Sequence, residues 1–263
     1  MISNRKITLF SLVALGAALS TSSQALSFSG SQLVGGYTYS ASSDFTYDNI
    51  NNLLLITLNN TAVDPVTNQA QTLSGIYFDV TGNPVLTTNS ANVGTGSTIV
   101  NDSPNLNDSK IGQEWAFRNN MVAADATFTD ARYGISSTGL GIFAPTDRFD
   151  TSGNLAGPGS GSVAGDDFSI VPASQASYTS GGLTGTPFTQ SSMIYRLNTP
   201  VNFILNANTI QNVVFHYSSA QEGQSTTGHT PDVPEPGTLA MLIGIAPIGA
   251  AYLIRRRKTH QKV

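Results

Sequence analysis

Asp166 and Asp167 stand side by side after a glycine-rich stretch running from Gly153 to Gly165. Adjacent carboxylates on a loop can hold a hard cation, because Ca²⁺ takes about six to eight oxygen ligands in irregular geometry. Asn101 to Asp108 forms a second oxygen-rich stretch, and Asp147 with Asp150 a third. None has the central Gly and terminal Glu of a twelve-residue calcium loop. The competing reading is turn chemistry, in which Asp and Asn bond their own backbone. A structural calcium ion on Asp166 and Asp167 is therefore the one cofactor the residues suggest, and turn chemistry is the stronger reading.

Other chemistries find less. Between residues 26 and 233 there are two histidines, His216 in an apolar strand pattern and His229 in a polar stretch. No serine sits between a strand and a helix as a nucleophile elbow requires, and Gly159-Ser160-Gly161 is simply flexible. Glycoside hydrolysis needs two placed carboxylates; Glu114 beside Trp115 is the best single candidate, with Asp166 or Asp167 as its partner. The glycine stretch lacks the Lys-Ser/Thr that would make it a phosphate cradle. Aromatic platforms bind sugars, and Trp115, Tyr37, Tyr39, Tyr47, Tyr178 and Tyr195 are candidates, though aromatics of this kind mostly fill cores. No cysteine occurs, which excludes disulfides, thiolate nucleophiles and cysteine metal sites. The sequence thus assigns no catalytic residue, and we read the protein as non-enzymatic.

The elements that must position these residues are strands. Compact apolar runs at Asn52–Asn59 and Leu73–Val80 are bounded by turn residues such as Thr81-Gly82-Asn83-Pro84. The first reads as a strand buried on both sides. Shorter candidates lie at Val85–Thr88, Ser97–Val100, Glu114–Arg118, Tyr133–Ser136, Met193–Leu197 and Val201–Leu205. Ile210–Tyr217 alternates in a way that fits one inner face. Ile111 to Asp125 reads as a strand and a loop, since Asn119-Asn120 interrupts its helical spacing. Short strands between Gly, Asn and Pro turns predict an all-β fold, an antiparallel sandwich or jelly roll, over residues 26–217. Residues 218–232 are polar and without pattern, a spacer.

Charge separates this body from its flanks. The chain carries −4 overall, but residues 26–233 hold five cations against fifteen acids, a net −10. An acidic body excludes nucleic acid as a natural partner. The basic residues gather at the ends. Met1 to Lys6 is a basic start, Ile7 to Leu19 is apolar, and Ser23-Gln24-Ala25 places small residues at a cleavage site. Residues 1–25 therefore read as a secretory signal peptide cut after Ala25. Toward the other end, Thr238 to Ile254 is 17 residues without a charge, about 25 Å as a helix. That is the short end of a membrane span, and Pro247 would kink it. Arg255, Arg256, Arg257 and Lys258 follow as a cytoplasmic stop, with residues 259–263 as a tail inside the cell.

Val233-Pro234-Glu235-Pro236-Gly237 precedes the span and holds the chain extended and accessible. Pro234-Glu235-Pro236, a short span, then Arg255-Arg256-Arg257, in that order over residues 233–258, resembles the PEP-CTERM sorting signal of bacterial surface proteins. The resemblance implies an exosortase that cuts near Pro234-Glu235-Pro236, a transient membrane anchor, and a mature form at the cell surface or in the extracellular matrix. Signal peptidase and the secretion machinery are the other partners it implies. A second set of blocks is similar to one family of exosortase-dependent surface proteins: Gly112 to Phe117, Tyr133 to Ser137, Gly139 to Phe143, and Gly165 to Phe168. This likeness implies a β-rich surface domain and no chemistry. The expected function is a non-enzymatic exported surface or matrix protein. The alternative is a carbohydrate-binding module for envelope or matrix polysaccharide, with a polysaccharide hydrolase a distant third.

Overall fold

A computed structural model describes residues 25–101, 108–121, 130–138, 155, 167–176, 186–217 and 225–230. Along these, the strands are β1 (Leu26–Val34), β2 (Tyr37–Asp48), β3 (Leu53–Asn60), β4 (Leu73–Val80), β5 (Thr87–Val93), β6 (Ile99–Val100) and β7 (Ala116–Arg118). They continue with β8 (Tyr133–Ser136), β9 (Ile170–Val171), β10 (Phe188–Gln190), β11 (Ser192–Asn198), β12 (Ile210–Tyr217) and β13 (Ser225–Thr227). Helix is confined to 3₁₀ turns at Gln69–Gln71 and Asp108–Gln113. No helix among the described residues is long and apolar enough to cross a membrane. Residues 1–24, 233–258 and 259–263 lie outside the described residues; Ala25 is exposed and directly precedes β1.

The all-β expectation is met, in two sheets. One runs β1-β2-β3-β11-β5 and is antiparallel throughout. The other runs β13-β12-β4-β9-β10-β6, with β8 also on β4 and β7 on β8. One pair in it, β9 with β10, is parallel, a departure from the wholly antiparallel expectation. One main apolar core takes side chains from both sheets. Phe45 of β2 meets Phe78 of β4 edge-on at 5.2 Å, and Tyr39 of β2 meets Tyr217 of β12 at 5.1 Å. Each such pair contributes about 0.5–1.5 kcal/mol beyond its buried area. The chain has no disulfide, so these ring contacts and the aliphatic core around them join the layers.

Three strand boundaries coincide with the sequence reading: Leu73–Val80, Tyr133–Ser136 and Ile210–Tyr217. Others need correction. β3 is buried on one face only, through Leu54, Ile56, Leu58 and Asn60, while Leu53 and Leu55 are partly exposed. The strand buried on both faces is β4: its Tyr77 turns away from the main core onto Ala116, Met121 and Ala131. The segment read as strand at Val85–Thr88 begins later, as β5. The expected strand at Glu114–Arg118 shortens to β7 behind a 3₁₀ turn. Val201–Leu205 is not a strand at all. It follows Pro200, whose carbonyl accepts the Phe203 N–H at 3.0 Å, and it carries the chain from one sheet to the other.

The sequence reading missed β1 and β2 because both are rich in serine. Their alternation is nonetheless strict: Tyr37, Tyr39, Ala41, Ser43 and Phe45 point inward, and Thr38, Ser40, Ser42 and Asp44 do not. The turn after β2 is fixed by Asp48, whose carboxylate accepts the N–H groups of Ile50 and Asn51 and the Asn51 side-chain amide. Those bonds, the Asn51 amide first, hold its pKa below the usual carboxylate range. The turn closes on Asn52 at φ 54°, a left-handed conformation that asparagine tolerates.

Within the stretch read as a spacer, the described residues 225–230 pack onto the body. Ser225–Thr227 forms β13 against β12, and His229 exchanges two backbone hydrogen bonds with Ser29 of β1, at 2.9 and 2.8 Å. The second of the two sheets therefore reaches the edge of the first. Gly30 makes the approach possible, because a Cβ there would lie 2.7 Å from the Thr227 carbonyl oxygen.

Candidate functional site

The residues proposed for chemistry scatter. Trp115, Tyr195, Tyr37 and Tyr39 are buried, Trp115 and Tyr195 completely. Trp115 packs on Tyr195 at 4.9 Å, so neither offers a sugar platform. Tyr178 lies outside the described residues. The core reading of these rings holds, and for the tyrosines the cause is register: they fall on inward positions of β2 and β11. Burial also raises the phenol pKa values of Tyr39, Tyr195 and Tyr217 above their ordinary value.

His216 is buried on β12, with its Nδ1 3.1 Å from Ser74 Oγ and its ring against Tyr77. A serine and a histidine at that distance look like nucleophile and base. Both are sealed in, Ser74 at 0% exposure and His216 at 2%. Around them Ser136 Oγ donates to the Ser74 carbonyl at 2.9 Å, and Ser137 Oγ meets Ser169 Oγ at 2.7 Å. These hydroxyls satisfy each other and the backbone, and the cluster ties β4, β8, β12 and the strand entry at Ser169 together. His229 is exposed and acts through its backbone.

Asp167 is partly buried at the start of the turn leading into β9, next to Phe168, which holds φ 61°. Burial raises its carboxyl pKa above the ordinary range. Asp166 and the Asp147 and Asp150 pair lie outside the described residues, as do residues 102–107. Among the described residues no three His, Asp or Glu side chains gather as a metal-binding group. Glu114 is partly exposed at the end of a 3₁₀ turn, its N–H bonded to the Ile111 carbonyl.

An open cleft of about 440 Å³ does occur, at the end of the molecule where the loops 81–86 and 199–209 meet. Thr81, Pro84, Asn202, Phe203, Ile204 and Asn206 line it. The two loops are tied by Thr81: its N–H bonds the Thr209 carbonyl, and its side-chain Oγ1 donates to the Asn208 carbonyl at 2.6 Å. Phe203 is braced edge-on by Tyr47 at 5.1 Å. Of the proposed aromatics among the described residues, Tyr47 stands beside this cleft, against Phe203. Sequence reasoning missed Phe203 by assigning it to a strand; its flanking asparagines and Pro200 were the available signal for a loop. Compared with protein families, characterised proteins and solved structures, the chain matches none.

Proposed function

We propose that the chain is a non-enzymatic surface or extracellular-matrix protein, exported by a signal peptide and released from a transient anchor by an exosortase. The observation that carries this is the ordered triplet Pro234-Glu235-Pro236, apolar run 238–254 and Arg255-Arg256-Arg257 behind an acidic body. A two-sheet sandwich is the architecture we assign to that body in preference to a jelly roll. The consecutive β1-β2-β3 meander within one sheet supports that assignment. Mass spectrometry of the native surface form is expected to find no peptide beyond about Pro236. A host lacking exosortase should retain the full C-terminus in its membrane fraction. Peptides containing Tyr252-Leu253-Ile254 from mature protein would defeat the reading.

The second reading, polysaccharide binding, is favoured by the cleft at Phe203. Side-chain amides and hydroxyls beside a braced ring suit a sugar, whose apolar face stacks while its hydroxyls bond. In a pull-down with matrix polysaccharide, Phe203→Ala should abolish retention without lowering the melting temperature by more than a few degrees. Equal retention of the variant would remove the cleft from consideration.

A structural calcium ion at Asp166 and Asp167 is tested by a pair of measurements. A carboxyl whose folded pKa is raised works against the fold once ionised, so stability rises as pH falls through that pKa. Without a cation, Asp167→Asn should therefore melt above the wild type at pH 7, and the difference should fade toward pH 4. With Ca²⁺ bound, EDTA should lower the wild-type melting temperature, and Asp167→Asn should remove that response. With the ion at about 100 times its Kd the stabilisation is about 2.7 kcal/mol. An unchanged wild-type melting curve in EDTA rules the ion out.

A further inference from the structure

Among the described residues six large apolar side chains stand exposed: Leu33, Ile50, Val63, Val85, Val201 and Ile204. Four of them, Ile50, Val85, Val201 and Ile204, share one end of the molecule. The register proves the grouping. Asp48 pairs with Leu53, Leu53 with Asn198, and Asn198 with Thr87, so the turn 49–52 and the loops 81–86 and 199–209 emerge together. Thr199 bonds the Asn52 carbonyl, and Thr81 bonds the Thr209 carbonyl. The residues 49–52, 81–86 and 199–209 carry no charge, on a body of net −10; Asp48, whose carboxylate accepts the Ile50 N–H at the root of the first turn, is an acid beside them.

The chain also leaves the body toward this end. β13 runs antiparallel to β12 and so heads for Ile210, at the base of the same loops. Past His229, which bridges Ser29, it runs against β1 toward Leu26. From Thr230 to the start of the apolar run at Thr238 are eight residue steps, at most about 27 Å of chain. Ser29, level with His229, pairs with Ser42, and β2 ends at Asp48, six residues further on, about 20 Å along the strand direction, with the turn to Ile50 beyond it. The tether therefore reaches the level of the loop tips and little beyond. A body held on so short a leash cannot stand clear of the bilayer. The opposite end exposes Leu33 and Val63 and lies against the direction of the exiting chain.

The geometry points to the loop end carrying Ile50, Val85, Val201 and Ile204 as a membrane-docking surface of the precursor, seated on the outer lipid face beside its own span. This rests on the reading of residues 238–254 as that span. Aliphatic side chains on uncharged loops are suited to the headgroup boundary, where apolar burial is favourable and an acidic face is excluded. Seating there would hold the body against the membrane until cleavage frees it. The Phe203 cleft opens on the same face, so a glycan would find it only after release.

Because the chain has no cysteine, a single Ile204→Cys or Ile50→Cys variant takes one polarity-sensitive dye. The full-length chain would be reconstituted in phosphatidylethanolamine–phosphatidylglycerol vesicles whose acyl chains carry bromine quenchers, with Leu33→Cys and Val63→Cys as controls. Blue-shifted, quenched emission is expected at positions 204 and 50, and neither effect at 33 and 63. Flotation of the vesicles with the protein, but equal emission at both ends, overturns the docking and leaves the span intact. Failure of the protein to float removes the span and the docking together. A concentration-dependent blue shift at position 204 in detergent, without lipid, assigns the surface to a second copy and overturns the proposal as well.

Discussion

Trp115→Ala should destabilise the domain by about 3–5 kcal/mol, read as a lower urea midpoint at unchanged slope. The indole is fully buried, and it lies on the ring of Tyr195 from the centre of the facing β11. Its carbonyl accepts the N–H of Leu155, another fully buried residue. Removing the ring therefore leaves a cavity where the segment before β7 meets the first sheet. Trp115→Phe should cost much less, because most of the ring contact survives. As the only tryptophan, Trp115 also reports on itself: its fluorescence should resist acrylamide until the domain unfolds. A cost under about 1 kcal/mol, or ready quenching in the native state, would return Trp115 to the surface and revive it as a sugar platform.

A chain ending at Tyr217 should be less stable than one ending at Thr230 by about 2–4 kcal/mol, from lost hydrogen bonds and apolar cover less the ordering entropy regained. For a domain of this size that is a fall of roughly 5–15 °C in Tm. The shorter chain loses β13, the paired bonds between Ser29 and His229, and the bond from the Gly228 N–H to the Val213 carbonyl. Phe215 and Val213, which lie where a Cβ on Gly228 would touch them, lose their cover. Gly30→Ala tests the same junction from the other strand. Its methyl must displace Thr227, so it should cost about 1–3 kcal/mol in the longer chain and close to nothing in the shorter. Equal stability of the two chains would restore residues 218–232 as a mere spacer.

That junction shows where legibility stopped. β4, β8 and β12 announce themselves because their apolar and β-branched residues are dense. β13 is Ser-Thr-Thr, and nothing local marks it as part of a sheet. It is held by the edges of β1 and β12, which a linear reading does not bring together. β1 and β2 failed for a related reason. Ser42, Ser43 and Asp44 look like a loop until Ser43 is seen on the inward face between Ala41 and Phe45. Val201–Leu205 failed in the opposite sense. Its apolar residues satisfy a strand pattern, but the chain must cross between sheets there, and Val201 and Ile204 are left outside.

Composition and order alone determined the class of the body, its acidity, the absence of thiol chemistry, and the tripartite segment at residues 233–258. These are properties of residue type and linear spacing, which survive without a fold. Tertiary structure decided which side chains are available. It placed Tyr37, Tyr39 and Tyr195 in the core, because alternation along a strand assigns each ring a face and only the partner sheet makes that face an interior, and it packed Trp115, just before β7, onto Tyr195. It sealed Ser74 and His216, 142 residues apart, into one buried cluster. It gathered Ile50, Val85, Val201 and Ile204 at one end, because strand register, set by pairing between distant segments, fixes which turns emerge together.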